Sequence, residues 1–98
     1  MKVHWTTRSV TRLDSIQAYI SRDNPAAALR LLQQLVCRSV QIAAFPSSGR
    51  RVADYAREDV RELIEGEYRI VYRIGVDRID VLTVMHVAQL LPNDVRGL

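Results

Sequence analysis

The sequence predicts an α+β domain: a helical hairpin laid on one face of a mainly antiparallel sheet, in the order β-α-α-β-β-β. Three observations carry that expectation. Between Arg8 and Ala44, apolar residues recur every three or four positions, the spacing of one helix face. From Val60 onward the pattern switches to alternation, clearest in YRIVYRI at 68–74. The 98 residues form one domain, 1–98, with no linker or repeat. The hairpin therefore has to bury its stripe against the one available sheet face, giving two layers.

The elements follow in order. KVHWT at 2–6 is β-prone and reads as a short first strand. Thr6 or Thr7 can cap a helix over about 8–22, with Val10, Leu13, Ile16, Tyr19 and Ile20 as its apolar stripe. In DNPAAALRLL, Asn24 suits the N-cap. Pro25 suits the first helical position, where its missing N–H would be unpaired anyway. The second helix spans 25–44, with Leu29, Leu32, Leu35, Val36, Val40 and Ala43 assigned to its buried stripe. FPSSGRR ends it, and the short gap between the helices makes them antiparallel neighbours.

VRELI at 60–64 is a strand, EGE at 65–67 a turn, and 68–74 the next strand. Alternation puts Tyr68, Ile70, Tyr72 and Ile74 on one face and Arg69, Val71 and Arg73 on the other. After the GVDR turn, IDVLTVMHV at 79–87 is apolar on both faces and belongs inside the sheet. PNDVRGL reads as a short polar tail. Trp5 and Phe45 are expected in the core, and Cys37 is expected to be an inert helical thiol.

Composition excludes several classes. No apolar run approaches the roughly 18–20 residues of a membrane span, and MKVHWTTRSV lacks the apolar core of a signal peptide. One cysteine cannot form an internal disulfide, so the cytoplasm is the expected compartment. There is no CxxC, HExxH or paired His/Cys spacing and no Gly-rich phosphate loop, so no metal and no cofactor are expected. The net charge of +3 is unevenly placed, residues 1–44 carrying six Lys/Arg against two Asp. All but Lys2 of the basic residues are arginine, whose planar fork of donors suits docking to carboxylate or phosphate.

Taken together in register, Asn24–Pro25, Pro46-Ser47-Ser48-Gly49-Arg50, Arg61-Glu62-Leu63, Tyr68 to Ile74 and Val84-Met85-His86 resemble the RelE/ParE superfamily of toxins from type II toxin–antitoxin modules, and its ParE-like branch most. Two positions depart from the family's pattern. Val87 and Gln89 stand where Gly and Arg are usual after the histidine, and Val52-Ala53-Asp54 replaces a usual Val-Pro-Glu.

The resemblance implies two functions on one fold, so the fold does not choose between them. ParE-like members inhibit DNA gyrase by binding. RelE-like members are ribosome-dependent mRNA endonucleases, and that is the alternative here. In the nuclease alternative, Arg69 would clamp phosphate and His86 would be the one group titrating near neutral pH. The apolar tail VAQLLP lacks the lysines, carboxylates or tyrosine that complete such sites, and Glu58, Asp59, Glu62, Glu65 and Glu67 flank the position. The expectation is therefore a binder with no catalytic residues, no direct sequence-specific nucleic-acid binding and no membrane association. Its target would meet His86, Gln89 and Arg96. A ParD-like antitoxin, forming a hetero-oligomer, would pair with Arg8, Arg12 and Arg61. In a purely structural account, Arg69 and Arg73 cover a sheet face and pair with Glu62 or Asp80, and His86 is a buried histidine at a strand end, hydrogen-bonded to backbone.

Overall fold

The computed structural model describes residues 1–98. Five strands and two long helices appear in the order β1 (Lys2–Trp5), α1 (Thr7–Ser21), α2 (Pro25–Ala44), β2 (Arg50–Arg51), β3 (Val60–Glu65), β4 (Tyr68–Ile74) and β5 (Arg78–His86). Short 3-10 turns occupy Pro46–Ser48 and Val95–Gly97. The sheet order is β1-β5-β4-β3-β2, so the last strand lies inside, as its two apolar faces require. Only β1 runs parallel to its neighbour; the other pairs are antiparallel. The two-residue β2 has no periodicity to announce it and adds a fifth strand to the four expected.

Both helices start where their caps dictate. Thr6 accepts a hydrogen bond from Ser9 N–H, and Asn24 accepts one from Ala27 N–H at 3.0 Å. The Glu65–Glu67 turn is made by Gly66 at φ 59°, a conformation costly for any other residue type.

The main core lies between helices and sheet. Leu31, Leu35 and Ile42 of α2 meet Ile70 and Tyr72 of β4 and Ile79, Val81 and Val84 of β5. Tyr72 is wholly buried, yet its hydroxyl is satisfied. It donates to Pro46 C=O at 2.6 Å and accepts from Gly49 N–H at 2.9 Å. A Cβ at position 49 would meet that hydroxyl at 2.5 Å, so glycine is required by the close approach. Trp5 packs against this core and donates its indole N–H to Ser39 at 3.0 Å.

Three expectations change here. The buried stripe of α2 is rotated: Ala28, Leu31, Leu35 and Ile42 face inward, whereas Leu29, Leu32, Val36 and Val40 are exposed. The apolar arc of α2 is wider than a core-facing stripe, and periodicity alone does not say which edge of the arc the sheet takes. Tyr19 and Val10 of α1 are likewise exposed, and Phe45, expected in the core, is 68% exposed at the end of α2. Cys37 is exposed as well.

The far face of the sheet is not open. Val52, Tyr55, Val60, Val71 and Leu98 form a second, smaller cluster, with Leu82, Leu91 and Val95 packed against it. The tail after β5 therefore folds back over the sheet. It is held by Tyr55 O–H donating to Pro92 C=O at 2.8 Å and by the Arg8 guanidinium donating to the carbonyls of Arg96 and Leu98.

Candidate functional site

The nuclease alternative needs Arg69 and His86 to act as a pair, and the strand register separates them. Tyr68 pairs with His86 and Arg69 with Met85, so the arginine and the histidine project from opposite faces. The cause is an irregularity in β5. Val71 pairs with Thr83 but Tyr72 pairs with Val81, leaving Leu82 as an extra residue. Before it, Ile79 and Val81 face the helices; after it, Val84 does. The bulge reverses the phase of the strand and carries His86 to the helix side.

On that side His86 packs edge-on against Tyr68, ring centroids 5.5 Å apart. Its Nδ1 accepts from Ala88 N–H at 3.0 Å, so the neutral ring carries its proton on Nε2, which lies 3.8 Å from a Glu67 carboxylate oxygen. The backbone hydrogen bond expected in the purely structural account is present, but the ring is partly exposed, not buried. Gln89 closes the turn: its side-chain oxygen accepts from His86 N–H, and its own N–H donates to His86 C=O, both at 3.0 Å.

On the opposite side Arg69 is largely buried and already engaged. It lies 3.6 Å from Glu62, a carboxylate only 4% exposed, and donates to Val87 C=O at 3.0 Å. Arg50 reaches the same Glu62 oxygen at 3.2 Å. Arg69 Nε is buried without an acceptor. Arg73 pairs with Asp80 at 3.3 Å. Both arginines thus make the cross-strand pairs that a sheet-face role predicts.

The remaining candidates scatter. Arg61 donates to Gly49 C=O at 3.0 Å, beside a long 3.8 Å contact to Glu58, and Arg8 is held by the tail. Arg12 donates to the Thr83 hydroxyl at 2.6 Å. Arg96 is almost fully exposed and pairs with Asp94, whose carboxyl that arginine holds below the usual range. The structure thus brings together His86 with Gln89 and Arg69 with Glu62, and leaves Arg96 apart from both.

Two features escaped the sequence. One is the exposed apolar row Leu29, Leu32, Val36, Val40, whose spacing of three and four along α2 was legible but was assigned to the core. The other is a bare sheet edge: β2 pairs only with Arg61 and Glu62, so Leu63, Ile64 and Glu65 of β3 have no outer neighbour. No group of three or more His, Cys, Asp or Glu side chains gathers to hold a metal, and no helix is long and apolar enough to cross a membrane.

A helical hairpin on a five-stranded mixed sheet is the α+β arrangement of the RelE/ParE fold. The family described as ParE toxin of type II toxin-antitoxin system, parDE, matches residues 3–91, and the chain belongs to it. Among its relatives, the Sinorhizobium fredii protein named "Putative toxin Y4kP" is 39% identical over 95 residues, covering 93% of each chain. Toxin RelE2 of Caulobacter vibrioides is 29% identical, over 91% of this chain and 98% of that one. Two solved structures share the fold at 22% identity. The chromosomal ParDE system of P. aeruginosa has a TM-score of 0.72 over 89% of this chain and 96% of the other. The RelBE2 complex of Mycobacterium tuberculosis has 0.62 over 87% and 95%.

Proposed function

We propose that this toxin acts as a stoichiometric inhibitor of DNA gyrase in the cytoplasm and is silenced by a ParD-like antitoxin. The observation that carries the binder over the nuclease is the division of Arg69 from His86 across the sheet. RNA cleavage at a 2′-hydroxyl needs a cation and a proton-transfer group converging on one phosphate. Here the cation spends its charge on the buried Glu62 and the imidazole faces the other way.

The antitoxin has a surface suited to it. Leu29, Leu32, Val36 and Val40 form an apolar row that a partner helix can cover, and the edge of β3 at Leu63–Glu65 offers unpaired backbone to an added strand. A segment that orders on binding gains from both at once.

The test is purified toxin incubated with gyrase and plasmid, and in parallel with translating ribosomes. Inhibited supercoiling or trapped cleaved DNA, with intact mRNA, is the expected result. Ribosome-dependent mRNA cuts that disappear in His86→Ala would replace gyrase inhibition with the RelE-type activity.

A further inference from the structure

A cleft of about 390 Å³ opens beside the C-terminal half of β5. Thr83, Val84 and Met85 all line it, although successive side chains alternate between faces, so it runs along the edge of the strand. That edge is bare because β1 stops at Trp5, opposite Val81. Arg12 of α1 forms the facing wall, and Gln89 and Leu90 close the end.

Arg12 is the unusual member. The arginines on the sheet have carboxylate partners: Arg50 and Arg69 have Glu62, Arg73 and Arg78 have Asp80, and Arg61 has Glu58 at the longer distance of 3.8 Å. Arg12 is half-buried, and its one hydrogen bond goes to a neutral hydroxyl, that of Thr83. No carboxylate lies within ion-pair distance of it. A guanidinium has five N–H donors, so most of its capacity remains open to an incoming acceptor. Beside it Leu90 is 94% exposed, an apolar side chain with nothing covering it, and Met85 lines the same cleft.

We propose that this cleft receives an acidic segment of the antitoxin, an Asp or Glu carboxylate docking on Arg12 while a neighbouring apolar side chain covers Met85 and Leu90. The inference rests on the toxin–antitoxin reading and adds the chemistry of one subsite to it. A free phosphate would satisfy the guanidinium but gain nothing from the apolar rim; a peptide gains from both. The surplus of basic over acidic residues in the helical half favours the same sign of partner. Gln89, a target-contact candidate, lines the same cleft. An antitoxin segment seated there excludes the target from Gln89, and neutralisation follows from occupancy alone.

The test uses the intact toxin labelled for NMR, titrated separately with acetyl-Leu-Glu-Leu-amide, acetyl-Leu-Gln-Leu-amide and inorganic phosphate. The acidic peptide is expected to shift the Met85 methyl and Arg12 Nε–H resonances saturably, at least tenfold tighter than its amide counterpart. Arg12→Gln should erase that difference. Leu90→Asp, at a position too exposed to disturb folding, should weaken the acidic peptide several-fold, and Arg30→Gln should leave it unchanged. Equal binding of the two peptides, or indifference to Leu90→Asp, overturns the proposal. Phosphate saturating the same resonances as tightly as the peptide overturns it too, in favour of a small-anion site. Peptide binding without gyrase inhibition would leave the cleft standing and remove the gyrase reading; the reverse result would remove the cleft alone.

Discussion

The two faces of the sheet solve the same problem by different means. The helix face closes over aliphatic side chains and one satisfied tyrosine, all within regular elements. The far face is half apolar cluster and half ion pairs, and it is closed by a loop at 52–55 and a tail held by single hydrogen bonds. Burial on the first face is non-directional and additive in area. On the second it depends on groups that are costly if left unpaired. A small domain that lays all its helix on one side has to close the other with whatever chain remains.

The contrast can be broken most forcefully on the helix side. Leu35→Ala or Ile42→Ala should cost about 2–5 kcal/mol in denaturant unfolding, since both side chains are wholly enclosed. On the far side, Glu62→Leu should cost about 3 kcal/mol by stranding the largely buried Arg69. Adding Arg69→Leu should recover part of that loss. A double mutant no better than the single would mean that the pair is not coupled as its geometry implies.

Tyr72→Phe removes the acceptor for Gly49 N–H and should cost about 1–3 kcal/mol. The same residue gives the fold an alkaline limit. Burial raises the Tyr72 pKa above the ordinary 10.0, partly offset by the Gly49 hydrogen bond and nearby Arg61. A raised folded-state pKa means stability that is complete below pH 10 and declines as pH rises towards the folded value. Thermal melts across that range should show the decline in the native protein and a shallower one in Tyr72→Phe.

Arg8→Ala should cost about 1 kcal/mol by releasing the carbonyls of Arg96 and Leu98. Hydrogen exchange should quicken at residues 95–98 and leave β4 protected. The smallest stability effect belongs to Leu32→Ser with Val36→Ser, within about 0.5 kcal/mol at exposed positions. Those changes should nevertheless abolish co-purification with the antitoxin. Retained binding would place the antitoxin elsewhere on the molecule.

Much of this architecture was legible in the residues. Asn24–Pro25 marks the start of α2, and the alternation of YRIVYRI gives both β4 and the arginine-bearing face. The cross-strand partners Glu62 and Asp80 were also readable, because alternation fixes which residues share a face. What escaped were features without local period. β2 is too short to alternate. The exposure of Phe45 depends on where the chain turns after α2. The wide apolar arc of α2 has two edges, and only packing decides which is buried. PNDVRGL read as a polar tail because Val95 and Leu98 are spaced by loop geometry, outside any helix or strand rhythm.

Leu82 has a further consequence. Because the bulge at Leu82 keeps the residues after it in phase with β4, the position of His86 is a matter of how that surplus residue is accommodated as much as of residue identity. Deleting Leu82 would remove the surplus and leave the residues after it opposite their present partners, whereas pairing the same residues without the bulge would exchange the two sides of the strand end. Arg69 and His86 would then share a surface, and Val84 would leave the core. The side on which His86 emerges is therefore a property of strand register, which comparisons that score residue identity alone would pass over.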